Sequence, residues 1–375
     1  MSSTLRMADF NIQMKKYTAS PSQFEDFDTI IDVRSPAEYE LDHVPKSINL
    51  PVLSNKERHL VGKAYNEISP FKAKITGGHL VARNIAHHIS QFLSHQPRSW
   101  RPLIYCWRGG QRSRAMATVL REVGWDAHTL KGGYKEYRKF IRQQIPILCK
   151  KLKFCVICGP TGSGKSHVLK ELQNNGEQIL DLENVANHRG SVLGWIPDKP
   201  QKPQKRFDSK IWEILKSFDV TKSVFVESES KKIGDIQVPD ALICKMWDSD
   251  CVILKIDRAL RVELLLKDYL YFVNNPSKLL HSLQPLKRNL SKTVFLEWEH
   301  LIKTNKMHDF VEQILEKHYD PAYEKSIKSH YKKLEDALII NVDKLKNHTF
   351  DNLAKDIKSN LDKLQIAKEA HDYRP

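Results

Sequence analysis

Cysteine is scarce. The chain has six, Cys106, Cys149, Cys155, Cys158, Cys244 and Cys251, among 375 residues. So thin a scatter over so long a chain excludes a disulfide-stapled secreted scaffold and points to a reducing, cytoplasmic setting. Long apolar runs are missing too: nothing approaches the roughly 18 residues of a membrane span. The opening "MSSTLRMADFNIQMKK" lacks the apolar centre of a signal peptide, so neither a span nor a leader is expected. There is no internal repeat and no low-complexity linker. Acidic residues are in the minority, 45 against 60 Lys and Arg, leaving a formal charge of +15. That surplus suits a polyanionic partner through phosphate neutralisation, and it equally suits a lysine-rich solvated surface.

What is present is organised as two α/β segments. The length predicts two domains, and 41% hydrophobic residues suffice for two cores. "FDTIIDV" (27–33) and "PLIYC" (102–106) are short apolar runs of the buried-strand type. "SRAMATVLREVGW" follows with helical spacing and closes at Gly124, and "AHTLKGG" supplies a further strand and turn. Strand, loop and helix alternate, the pattern of a parallel sheet. A second series starts at "KFCVICG" (153–159) and continues through "QILDLE" (178–183), "SVFVES" (223–228) and "CVILKID" (251–257). Beyond Arg258 the pattern is mostly helical and rich in lysine. The expected domains are 1–145 and 146–375, with the boundary near Pro146.

Each series delivers a strand into a glycine-rich loop. The first loop, "YCWRGGQRS" (105–113), places Cys106 at a strand end ahead of a helix start. Glycines let backbone N–H groups turn inward, the helix N-terminus adds positive potential, and Arg108 and Arg112 add fixed charge. Such surroundings favour thiolate, the nucleophilic form. Cys106, Arg108 and Arg112 are therefore the expected catalytic residues. "CVIC" (155–158) has a metal-like spacing but lies inside a predicted buried strand, and inert core cysteines are expected there.

The second loop, "GPTGSGKS", matches G-x-x-x-x-G-K-[ST] directly after a strand. Gly159, Thr161, Gly162, Ser163, Gly164, Lys165 and Ser166 are the expected diphosphate cradle. Lys165 supplies a point charge, and the Ser166 hydroxyl can reach a magnesium ion. Any diphosphate-bearing ligand, nucleotide or not, satisfies such a loop. The second acid of a P-loop site should end a later strand, which selects Glu227 with Glu229 beside it, and Asp181 as the runner-up. "NHRGSVLG" (187–194) places His188, Arg189 and Ser191 where the ligand of the loop should lie. Arg258 and Arg261 open a helix after "CVILKID", a position from which arginines can stabilise transferred charge.

Two resemblances sharpen this reading. "IDVRSPAEYELDHVPKSINLP" (31–51) and "LKGGYKEYRKF" (130–140) resemble rhodanese-like domains. That resemblance implies a covalent carrier role for the loop cysteine and supporting roles for Asp32 and Arg34. The interval from Cys106 to Arg112 is one residue longer than the usual sulfurtransferase loop, as in related phosphatases, which suits phosphate or an atom larger than sulfur. The order "YCWRGGQRS", "GPTGSGKS", "NHRGS", "VESESKKIG" and "HYDPAYEKS" is similar to that of the tRNA 2-selenouridine synthases over nearly the whole chain. This second resemblance implies a rhodanese-like parallel-sheet domain followed by a P-loop NTPase-like α/β domain with a helical C-terminal region. It also implies a selenotransferase with geranyltransferase activity, which replaces the sulfur of wobble 2-thiouridine by selenium. The cosubstrates would be selenophosphate and geranyl diphosphate, with no tightly bound cofactor and Mg2+ allowed. The partners would be the anticodon arm of tRNA and a selenophosphate synthetase that supplies the donor, and not a membrane. Oligomeric state is not given by the sequence. The competing reading from the loops is an ATP-dependent kinase fused to a rhodanese- or phosphatase-like domain. A purely RNA-binding protein leaves the nucleophile without a use.

Overall fold

The computed structural model describes residues 17–288, 290–344 and 349–372. Two compact units emerge. One runs through Gln144 and takes in Asp208–Glu213; the other comprises Ile145–Phe207 and the chain from Ile214 onward. The stretch expected to hold the boundary is helical, within Gly133–Lys151, and Pro146 is accommodated inside that helix.

The first unit is built on five parallel strands: β1 (Thr18–Ala19), β2 (Thr29–Asp32), β3 (Ile48–Asn49), β4 (Pro102–Tyr105) and β5 (His128–Leu130), in the order β1-β5-β4-β2-β3. All four residues of β4 are buried, as expected of a strand covered on both faces. The helix Gln111–Val123 lays Met116, Ala117 and Leu120 against Ile31, Val33 and Ile104. Between β3 and β4 come two longer helices, Asn55–Glu67 and Pro70–His88. Each is started by a serine, Ser54 or Ser69, whose hydroxyl accepts an N–H of the first turn.

The second unit carries β6 (Lys153–Cys158), β7 (Gln178–Leu180), β8 (Ser223–Glu227), β11 (Asp250–Ile256) and β12 (Leu338–Val342), with a small antiparallel pair, β9 (Lys232–Ile233) and β10 (Ile236–Gln237), outside the main sheet. The main sheet is wholly parallel, in the order β12-β11-β6-β8-β7. Strand β6 is central, so the loop that leaves it opens at the C-terminal edge of the sheet, flanked by β8 and β11. The doubly parallel α/β architecture read from the sequence is the one observed. Strand β7 is shorter than expected, because Asp181 turns from strand to cap. Its carboxylate accepts the N–H of Asn184 at 2.8 Å and starts the helix Leu182–Ala186. Among the described residues, no helix is long and apolar enough to cross a membrane.

Candidate functional site

In the first unit, Cys106 follows β4 directly and is buried. Its sulfur accepts the N–H of Gly110, at 3.1 Å, and the hydroxyl of Ser113, at 3.3 Å. Gly110 caps the helix Gln111–Val123, so the sulfur sits at that helix's positive end. The "KGG" turn closes the loop from the other side. Tyr134 N–H donates to the Cys106 carbonyl at 2.8 Å, and Lys135 N–H to that of Trp107 at 3.0 Å. At Gly133, with φ 61°, a Cβ would stand 2.4 Å from the Cys106 carbonyl oxygen, so only glycine fits this approach.

The two loop arginines behave differently. Arg108 is exposed to solvent. Arg112 is turned onto Glu38, Nη1 to Oε2 at 2.8 Å and Nη2 to Oε1 at 3.3 Å. Burial alone would raise the Glu38 carboxyl, but Arg112 outweighs it and holds Glu38 below the usual carboxylate range. Glu38 also closes a capping box with Ser35 at the start of the helix Pro36–Leu41, so its position is fixed twice. Nothing in the sequence pattern singled out Glu38 beyond its place in that box.

Asp32 and Arg34 lie beneath the loop. Both are buried and paired, Nη2 to Oδ2 at 2.6 Å, and Arg34 donates a further bond to the Asp42 carbonyl at 2.7 Å. Burial works against the Arg34 charge, and Asp32 more than restores it. The guanidinium lies 4.0 Å from the centre of the Tyr134 ring, which in turn stacks on Trp107 at 5.4 Å. The pair thus supports the loop through two aromatic rings.

In the second unit, β6 runs into the glycine-rich loop, and the helix Lys165–Asn174 leaves it. Lys165 folds back across the loop and donates to the Gly159 carbonyl at 2.8 Å. Ser166 meets a carboxylate, that of Glu183, at 3.2 Å. Glu183 was not anticipated from the sequence; it lies in the short helix that Asp181 caps. Glu227 does end β8 as expected, yet it is fully buried and accepts the N–H of Glu183 at 3.0 Å. Burial, and then Glu183 and Asp181, push Glu227 well above the ordinary carboxylate range. Burial and Glu183 push Glu229 up to about 8, against the pull of Lys165.

The loop faces a cavity of about 620 Å³. Thr161 through Ser166 line it, together with Asp181, Arg189, Ser191 and Glu229. Gly159, His188 and Glu227 stay behind the lining. The "NHRGS" turn reaches the cavity through Gly190, where a Cβ would lie 2.7 Å from the Glu229 carboxylate. Arg189 stands 4.7 Å over the Tyr269 ring on the same cavity wall. Arg261 is not free to meet a ligand. It is buried, donates from Nε to the Thr161 carbonyl at 2.9 Å, and pairs with Asp320 at 2.5 Å, bracing the loop from behind. Arg258 is half exposed and pairs with Glu316 at 3.3 Å.

A second, apolar pocket adjoins the first. Thr161, Ser191, Leu265, Tyr269 and Tyr319 line both. Phe272, Leu279, Phe310 and Val311 complete its lining; it carries almost no polar surface and measures only about 60 Å³. The loop therefore opens on one side to charge and on another to hydrocarbon. Cys155 and Cys158 are buried in the sheet; burial pushes the Cys155 thiol up, and contact with Cys251 followed by burial does the same to Cys158. Among the described residues, no group of three or more His, Cys, Asp or Glu is arranged to hold a metal ion.

Comparison with known proteins covers both units. Residues 16–140 match the rhodanese-like domain family, and residues 152–338 match a family described as the tRNA 2-selenouridine synthase AAA domain. A protein of Nitrosomonas europaea named tRNA 2-selenouridine synthase is 33% identical over 245 residues, 64% of this chain and 63% of that one. One from a Sulfurovum species with the same name is 33% identical over 246 residues, 64% and 65% of the two chains. A third, from Marinobacter nauticus, is 29% identical over 327 residues, 79% of this chain and 87% of its own length. The match thus spans just under two thirds of the first two relatives and most of the third.

Proposed function

Because the chain belongs to the family of tRNA 2-selenouridine synthases, we propose that it replaces the 2-thio sulfur of a tRNA wobble uridine with selenium, by way of an S-geranyl intermediate. The observation that carries the intermediate is the apolar pocket opening off the diphosphate loop. A nucleoside brings polar edges that such a pocket leaves unpaired, whereas hydrocarbon suits its lining; the pocket measures about 60 Å³, so its walls must part to admit a terpenoid tail. Geranyl diphosphate joins the two needs, a diphosphate for Lys165 and Ser166 and a hydrocarbon for Leu265, Phe272 and Phe310.

In the first step the thiocarbonyl sulfur attacks C1 of the geranyl group. The C–O bond breaks, diphosphate leaves with its electron pair, and the base gives up its N3 proton. Lys165 and the loop N–H groups stabilise the charge on the departing diphosphate. The hydroxyl of Ser166 and the carboxylate of Glu183 are hard oxygen donors that would hold a magnesium ion, which would neutralise part of that charge. In the second step selenophosphate attacks C2 through selenium, and the geranyl sulfur leaves as thiol with a proton. Water then cleaves the P–Se bond and releases phosphate. Cys106, Arg108 and Arg112 serve this half, with the wide loop holding the donor anion.

The charge of +15 supports an RNA substrate, here the anticodon arm bearing 2-thiouridine, in a cytoplasm where a selenophosphate synthetase supplies the donor. The test is nucleoside mass spectrometry of thiolated tRNA incubated with the protein, geranyl diphosphate and selenophosphate. Lys165→Ala is expected to cut geranylation by about 100-fold or more. Cys106→Ala is expected to leave geranylation intact and to stop selenation. Full geranyl transfer by the lysine variant removes the P-loop from the reaction; undiminished selenation by the cysteine variant removes Cys106.

A further inference from the structure

The 620 Å³ cavity has a wall that neither the diphosphate nor the geranyl chain uses. Ser228 and Glu229 extend it from the end of β8. Tyr323 comes from the helix Asp320–His330, and Tyr331 ends that helix. Tyr323 lies against Gly159 and Ser228, at the root of the diphosphate loop. Tyr331 lines the same cavity as Tyr323 and Glu229. It is only 6% exposed, and its hydroxyl has no hydrogen-bond partner among the described residues. A buried hydroxyl without a partner lowers stability unless a ligand completes it.

An aromatic wall carrying unused polar groups, beside a leaving-group loop, has the chemistry of an acceptor site. A pyrimidine base offers a flat π-face to tyrosine rings and an imide edge, N3–H beside O4, to hydrogen-bonding side chains. The side chains of this wall match that edge: a hydroxyl of Tyr331 or Ser228 donates to O4, and a carboxyl oxygen of Glu229 accepts N3–H. The 2-position is then left turned toward Lys165, where the diphosphate departs. A base stacked inside an anticodon loop has its faces covered by its neighbours, so it must leave the stack to meet these rings.

We infer that Ser228, Glu229, Tyr323 and Tyr331 form a subsite for a pyrimidine base flipped out of an RNA loop, held by its N3–O4 edge with its 2-substituent facing the P-loop. The inference rests on the proposed reaction, since it takes the acceptor to be an RNA base.

The test uses the full chain and an anticodon stem-loop RNA with 2-thiouridine at the wobble position and 2-aminopurine as its 3′ neighbour. Extrusion of the wobble base unstacks the 2-aminopurine, and its emission rises. The wild-type protein is expected to raise emission. Tyr331→Phe and Ser228→Ala, made separately, are expected to reduce the rise by about fivefold, since each removes one hydrogen bond. Total RNA binding, followed by anisotropy, should stay within about twofold, because phosphate contacts carry it. No emission rise with the wild type, or an undiminished rise in both variants, overturns the subsite. A rise that the variants lose, in a wild-type protein that transfers no geranyl group, supports the subsite and refutes the proposed reaction instead.

Discussion

Arg112 holds the carboxylate of Glu38 with both terminal nitrogens, at 2.8 and 3.3 Å. The guanidinium that the long cysteine loop would offer to an incoming anion is thus already engaged, and a donor anion must compete with Glu38 for it. Glu38→Gln keeps the cap at the start of Pro36–Leu41 but removes the competing charge. The variant is expected to bind anions more tightly. Inorganic phosphate should protect Cys106 from alkylation by iodoacetamide at a roughly three- to tenfold lower concentration. Stability should change by no more than about 1 kcal/mol, since the pair is partly solvated. Unchanged or weaker protection would show that Glu38 does not restrain Arg112.

The apolar pocket makes a separable prediction. Val311 lines it, is partly buried and packs against the neighbouring core, so a larger side chain there fills the pocket at some cost in stability. Val311→Trp is expected to raise KM for geranyl diphosphate by about tenfold or more, on the scale of lost hydrocarbon burial. Inhibition by inorganic diphosphate should not change. Equal losses for both ligands would mean that the tail binds elsewhere.

The carboxyl cluster gives the second unit a pH dependence of definite sign. Glu229 is pushed up to about 8 by burial and by Glu183; Glu227, Glu183 and Asp181 shift in the same direction, while Lys165 pulls Glu229 and Glu183 back. A carboxyl raised in the folded protein keeps its proton where the unfolded chain has lost it. Its contribution is therefore complete below the ordinary carboxylate value of 4.5 and is lost as pH rises toward about 8. The melting temperature is expected to fall between about pH 5 and about pH 8.5, and to fall less steeply in Glu229→Gln. Identical slopes by differential scanning calorimetry would exclude Glu229 as a source of the trend.

Much of this architecture is legible in the residues, for local reasons. "PLIYC" and "KFCVICG" are continuous apolar runs ending in glycine-rich loops, and each became a central parallel strand opening at its C-terminal end. The failures have both local and long-range causes. The pattern of "QILDLE" predicts one strand, but the carboxylate of Asp181 finds the Asn184 N–H, and a cap outcompetes strand extension. Arg261 looked available for ligand charge because its helix position is right, yet Asp320 reaches it from 59 residues away in sequence. Glu183 and Tyr331 carry no motif, and Glu38 lies in the rhodanese-like stretch and a capping box without a site role following from either. Their places at the two loops depend on packing between elements distant in the chain, which no spacing rule encodes.

One side chain bears more than its position suggests. Arg261 ties the Thr161 carbonyl of the diphosphate loop to the carboxylate of Asp320, the first residue of the helix that presents Tyr323. The grip on the leaving group and the aromatic wall thus share a single fastening. A substitution at Asp320, which lines neither pocket, will present in a genetic screen as a lesion of the phosphate loop, and the two phenotypes will map to one complementation of charge rather than to two sites.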